Sequence, residues 1–313
     1  MAVSSLSSSI RTCIVSCPWF VALVVALTSL VPVGLCSGKE PGQAVDAGGA
    51  LQGKQGAVLL VTIPVHDRPD RATGKFLQRT LTLFPFGEHL YAGLLGLDLD
   101  DRPGRHELTI DVVYPQRTER RRLSVAVLKA TYPVQQLTLP SAMVDLDAAT
   151  LARVKAEAGV IRQAFDGVVP HPLWRETFRA PVSGKSSGRF GSRRVINGQP
   201  KNPHSGEDIA APEGTAVSVM NDGIVRLTMD HFFTGKGVIV DHGLGLFSMY
   251  FHLSRVDVEP GQTMTSGQVI GAVGSTGRAT GPHLHWGVRL NGARVDPYSL
   301  LALDVGEPFR IPD

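Results

Sequence analysis

Thirty-four glycines and twenty-one prolines punctuate the 313 residues of this chain. Within a helix, glycine costs about 1 kcal/mol and proline about 3 relative to alanine, whereas both residues suit turns. With aromatics at only 6%, a mainly β, turn-rich chain is expected rather than a helical bundle. The length suits two ordinary domains once a targeting segment is set aside.

The pattern of apolar residues places the elements. The run AVLLVTI (57–63) ends before Pro64. ELTIDVVY (107–114) puts Leu108, Ile110 and Val112 on one face, and RLSVAVL (122–128) does the same with Leu123, Val125 and Val127. These are strands with period two. PQRTERR between the last two has the composition of a hairpin tip, and its arginines read as a solvated turn. A small β-sandwich over 57–134 follows, with nothing catalytic in it. One helix comes next. Asp147 is its cap, and Leu151, Val154, Ala158, Ile161 and Phe165 form an apolar stripe before Gly167 and Pro170 end it.

The front of the chain points to export. Arg11 precedes an apolar run over 18–35, followed by a polar, glycine-rich stretch over 37–49. Residues 1–37 thus read as a signal peptide or a membrane anchor, with lipidation at Cys36 as a third alternative and 38–56 as linker. The expected location is the periplasm or cell envelope. Cys13, Cys17 and Cys36 are the only cysteines, so the folded part has neither a disulfide framework nor a thiolate metal site. The net charge of +3 leaves no footprint of nucleic-acid binding.

Six of the ten histidines fall between His204 and His285. In TGPHLHWGV, His283 and His285 alternate with Leu284 and Trp286, so a strand would put both imidazoles on one face. Two adjacent imidazoles are costly to bury unless something takes their lone pairs, and a divalent cation does so. NPHSGEDIAAP adds His204 and Asp208, with Gly206 between them allowing a tight turn. Two histidines and a carboxylate are the donors of a catalytic zinc that keeps one position open. Glu207 is the rival carboxylate, but adjacent strand residues face opposite ways, which favours Asp208. His242 in DHGLG reads as a hydrogen-bonding strut and His231 as structural or at a substrate edge. His66, His89, His106 and His171 receive no role. Gly271, Gly274, Gly277 and Gly281 read as turn residues rather than a phosphate cradle.

The stretch from FGSRRVINGQPKNPHSGEDIAAP through DHGLGLFSMYFHLS to VGSTGRATGPHLHWGVRLNGARVDP closely resembles the lysostaphin/LytM-type zinc endopeptidases, over roughly residues 180–301. The resemblance rests on His-x-Gly-x-Asp, Tyr-x-His-Leu and Gly-Pro-His-Leu-His-Trp in that order. It implies an antiparallel β peptidase domain over 180–302, after a helical linker over 135–179 and before a tail over 303–313. It implies one zinc per domain, with His204, Asp208 and His285 as ligands. It makes His283 the catalytic histidine, expected to take the water proton, and His252 its companion at the oxyanion, though the two roles are exchangeable. The implied substrates are peptidoglycan stem peptides or cross-bridges. Two other readings stay open: a regulator that keeps the fold and acts by protein contact, and a peptidase acting on proteins. The intact ligand set speaks against the first.

Overall fold

Alternation along two strands organises the front of the molecule. In the computed structural model, which describes residues 51–303 except Glu176, seven strands come first: β1 (Leu51–Lys54), β2 (Val58–Pro64), β3 (Arg71–Phe76), β4 (Arg79–Gly87), β5 (Leu90–Gly96), β6 (Gly104–Val113) and β7 (Thr118–Leu128). They form one sheet in the order β1-β7-β6-β3-β4-β5-β2. Strand β4 pairs with β3 along its first half and with β5 along its second, so the sheet turns a corner and encloses its own core. Leu108, Ile110, Val112 and Val125 are completely buried there, as their alternation requires.

The residues between them on β2 and β5 serve a second core. Leu59, Val61, Ile63, Tyr91 and Leu95 point into the front core. Val58, Leu60, Ala92 and Leu94 instead join the cluster that holds Trp286, Leu290, Ala293 and Val295. These strands are apolar on both faces because each face has its own interior. Strand β1 lies within the stretch read as linker. Four residues, LQGK, carry too little pattern to announce a strand, and its parallel pairing with β7 supplies the order. The leader and Cys36, the linker up to residue 50 and the tail from residue 304 lie outside the described residues.

A buried ion pair fastens the front sheet to the rest. Asp98 accepts from the Arg294 backbone N–H at 2.7 Å and from Nε and Nη2 at 3.1 and 2.5 Å. Burial works against charge on Asp98, but the Arg294 bonds outweigh it and hold the carboxyl below its usual value. Removing the carboxylate takes three hydrogen bonds from this seam and leaves Arg294 with the exposed Asp100 alone, so Asp98→Ala is expected to cost about 2 kcal/mol in urea unfolding. The folded pKa is the lower one, so this contribution is present above about pH 4 and is lost as pH falls through the folded value. The gap between wild type and variant should therefore close in acid. A gap that stays constant with pH would refute the assignment.

The connection holds strand β8 (Val134–Leu137), a short 3-10 turn (Ser141–Met143) and helix α1 (Ala148–Gln163). Asp147 caps α1, its carboxylate accepting from the Thr150 N–H at 2.7 Å. The expected apolar stripe packs only at its C-terminal end. Leu151 is 42% exposed and no residue of α1 is fully buried, while Ile161, Ala164 and Phe165 rest on Phe247 and its neighbours.

The remainder is antiparallel, apart from β8, which runs parallel to β10. Strands β9 (Lys185–Gly188), β10 (Arg193–Ile196), β11 (Gln199–Pro200), β12 (Gly206–Ala210), β13 (Ala216–Ser218), β14 (Gly223–His231) and β15 (Gly235–Asp241) come first. Then follow β16 (Leu246–Val256), β17 (Thr263–Met264), β18 (Val269–Val273), β19 (His283–Leu290), β20 (Ala293–Val295) and helix α2 (Pro297–Leu301). The main path is β17-β14-β15-β16-β19-β12-β9; β13, β18 and β20 attach to it, and β8, β10 and β11 form a small separate sheet. One face carries Tyr250, Leu284, Trp286 and Val288 into the core shared with β2 and β5. The other carries Phe247, Met249 and Phe251 toward α1. Among the described residues, no helix is long and apolar enough to cross a membrane.

Candidate metal centre

Strand β19 does with its histidines what alternation requires. Leu284 and Trp286 are fully buried in the shared core, so His283 and His285 emerge on the opposite face. Strand β12 lies beside it in register, with Asp208 opposite His285 and Ala210 opposite His283. Ile209 goes to the core and Asp208 to the histidine face. Glu207 turns away from the cluster and accepts from Ser186 Oγ at 2.8 Å and from the Phe190 N–H at 2.9 Å. His204, in the loop leading into β12, completes the group.

Three polar atoms converge. Asp208 Oδ1 lies 3.0 Å from His204 Nε2 and 2.9 Å from His285 Nδ1, and those nitrogens are 2.9 Å apart. All three residues are buried. The far nitrogen of His204, Nδ1, faces the Arg189 carbonyl at 3.1 Å. In the neutral ring the hydrogen therefore sits on Nδ1, and Nε2 turns a lone pair to the centre. The second Asp208 oxygen, Oδ2, is held by Arg194 Nη2, and the Arg194 Nε–H donates to Gln135 Oε1 on β8 at 3.2 Å. Phe251 stacks on the His285 ring, 5.6 Å between centroids and 4° between planes.

His252 reaches the same face through an irregularity. Residues 250 and 253 both point into the shared core, which regular alternation forbids. The ladder with β15 slips between Lys236 and Val238, and His252 has φ of 64°, a left-handed backbone unusual outside glycine. The extra residue turns its ring to within 4.8 Å of His283 between centroids. The Nδ1 of His252 lies 2.9 Å from the Thr276 carbonyl, and the Nδ1 of His283 lies 2.8 Å from the Gly281 carbonyl. Both neutral rings thus present Nε2 as an acceptor, and His283 Nε2 is 3.8 Å from Asp208 Oδ1. Burial, then the neighbouring His285 and His283, push the His252 pKa down to about 3.

The sequence profile of peptidase family M23 matches residues 202–297, the segment that carries all five of these residues. A Pseudomonas aeruginosa protein assigned to peptidase M23, known from its crystal structure, is 31% identical with a TM-score of 0.63. The match covers 79% of this chain and 94% of that one. The chain belongs to peptidase family M23. Among curated relatives, peptidoglycan DD-endopeptidase ShyA of Vibrio cholerae is 40% identical over 127 residues, which is 40% of this chain and 30% of ShyA. DD-carboxypeptidase/endopeptidase Mpg of Neisseria meningitidis is 43% identical over 97 residues, 31% of this chain and 22% of Mpg. The matched region thus spans less than a third of either relative.

The donor chemistry of this M23 centre fits a divalent cation. Two imidazole nitrogens and a carboxylate oxygen lie within 3.0 Å of one another, and the Arg189 carbonyl on His204 Nδ1 leaves the Nε2 lone pair of that ring facing the group. Such a set is unfavourable without a cation and suits zinc, which takes nitrogen and oxygen ligands and leaves a position open. His242 is not part of it. Buried completely, it faces the Asp222 carbonyl and Ser248 Oγ, each at 2.7 Å, as a strut. Sequence reasoning missed Arg194, Phe251 and the Thr276 carbonyl. FGSRR lies within the resembling stretch, but nothing in its spacing says which arginine reaches Asp208.

Proposed function

We propose that this protein is a zinc-dependent endopeptidase that hydrolyses peptide cross-links of peptidoglycan, exported to the periplasm or envelope. The observation that carries the reading is the convergence of His204, Asp208 and His285 on one point with His283 and His252 beside it. The names of the curated relatives support the wall substrate. The ligands are His204 Nε2, Asp208 Oδ1 and His285 Nδ1. Zinc, when bound, lowers the pKa of water toward neutrality and polarises the scissile carbonyl. His283 takes the attacking water's proton at Nε2 while its Nδ1–H remains on the Gly281 carbonyl, and then passes that proton to the leaving amine. His252, held on the Thr276 carbonyl, flanks His283 and is the second imidazole beside the position where the oxyanion develops. Exchange of these two roles leaves the proton balance unchanged.

Helix α1 shares the site's face of the sheet, whereas β2 and β5 pack on the opposite face. The front sheet is thus part of the scaffold. Purified sacculi digested by residues 38–313 should release monomers from cross-linked dimers, read by mass spectrometry. Chelation and His283→Ala should each remove the products, the latter lowering the rate by about a hundredfold or more. An inert, folded and zinc-loaded protein would transfer weight to the regulator reading.

A further inference from the structure

Residues 274–281 join β18 to β19 and hold both non-ligand histidines by main-chain carbonyls, Thr276 for His252 and Gly281 for His283. Arg278 lies between those two anchors. Its backbone N–H donates to the Phe233 carbonyl at 2.9 Å, and its guanidinium lies 4.0 Å from the Phe233 ring centroid. One face of the cation is therefore covered by an aromatic ring, which fixes its plane. Its five in-plane N–H donors remain, and no carboxylate among the described residues lies within ion-pair distance. Burial, and secondarily the charge of nearby Arg194, push its pKa below the usual arginine value. Arg194 itself is engaged by Asp208. The other site arginine differs: Arg194 has its anion among the described residues and Arg278 has none there. A half-buried, stacked and unpaired guanidinium is costly unless an anion arrives to pair with it.

We infer that Arg278 determines specificity by pairing with a carboxylate on the substrate residue next to the scissile amide. The inference rests on the peptidase reading above for where the substrate lies. Its position follows from the loop. The carbonyls that orient the two reacting imidazoles are two and three residues from Arg278, and its guanidinium lies near enough to Arg194, which holds Asp208, to feel that charge, so an anion paired there sits on the side of the site these groups line. The ligand class is an acidic peptide, and a planar carboxylate suits the guanidinium fork better than a neutral amide.

Two soluble cross-linked peptides decide the matter, identical except that the carboxyl on the amine side of the scissile bond is a free acid in one and a carboxamide in the other. Hydrolysis and equilibrium binding by fluorescence anisotropy are measured with the zinc-loaded full chain, Arg278→Gln and Arg278→Lys. The wild type should favour the acid by about 10- to 100-fold, the range expected for a hydrogen bond to a charged group. Arg278→Gln should abolish that preference and leave the amide's values at the wild-type level, with Arg278→Lys in between. Equal treatment of acid and amide by the wild type would overturn the inference, as would an Arg278→Gln defect equal on both peptides. If the wild type binds the acid selectively, loses this in Arg278→Gln, and cleaves neither peptide, Arg278 keeps its role while the hydrolytic reading falls.

Discussion

Asp208→Ala should abolish zinc retention and lower kcat/KM on a cross-linked wall peptide by at least about a thousandfold, since Lewis-acid stabilisation is worth several kcal/mol and each 1.36 kcal/mol is tenfold. Asp208 is the hub of the centre. Its Oδ1 touches both candidate imidazole ligands at 2.9–3.0 Å, and Oδ2 is taken by Arg194. Removing the carboxylate leaves two neutral nitrogens and places the Arg194 charge beside the ion's position, so attraction becomes repulsion. Asp208→Asn separates charge from shape. It keeps the volume and an acceptor oxygen but presents an amide to Arg194, and its zinc affinity should fall almost as far. Zinc content after gel filtration, measured alongside the rate, decides the matter. An alanine variant that holds stoichiometric zinc would remove Asp208 from the ligand set.

What sequence alone made legible here divides along physical lines. The pairing of His283 with His285 was readable because strand alternation is local: Leu284 and Trp286 name the buried face and the histidines take the other. The arrival of His252 was not readable from periodicity, because a bulge reverses the alternation, and a bulge is fixed by ladder pairing with β15 rather than by the residues of YFHLS. The family resemblance singled out His252, which periodicity did not. The front domain shows the same limit. Strands β6 and β7 face one core and alternate cleanly, whereas β5 (LYAGLLG) is apolar throughout because it separates two cores. Its dependence on Leu290, Ala293 and Val295 means that cutting the chain near Pro133 would bare an interior surface.

Gly206→Ala, one added methyl group, should cost at least about 3 kcal/mol, the upper part of the range for overpacking, and impair zinc binding with it. The sequence suggests that Gly206 lets the chain turn between His204 and Asp208. In the structure it begins strand β12, opposite Gly287 in the ladder, and no turn is involved. The requirement is proximity. A Cβ at 206 would stand 2.5 Å from the Trp286 carbonyl oxygen and 2.9 Å from both Cε1 and Nε2 of His285. None of these atoms belongs to a flexible chain end. The carbonyl is fixed in the sheet, the indole behind it is fully buried, and the His285 ring is held between Phe251 and Asp208. Relief therefore requires moving either the strand or a candidate metal ligand, and the second route would couple stability to zinc. Gly159→Ala provides the control. It lies within α1 with nothing within 4 Å of its added Cβ, so the same chemical change should stabilise the protein by up to about 1 kcal/mol and leave zinc untouched. Opposite signs in urea melts, with zinc affinity lost only in Gly206→Ala, would establish that this glycine makes room for His285. A Gly206→Ala protein with wild-type stability and affinity would show that the strands can part without disturbing the centre.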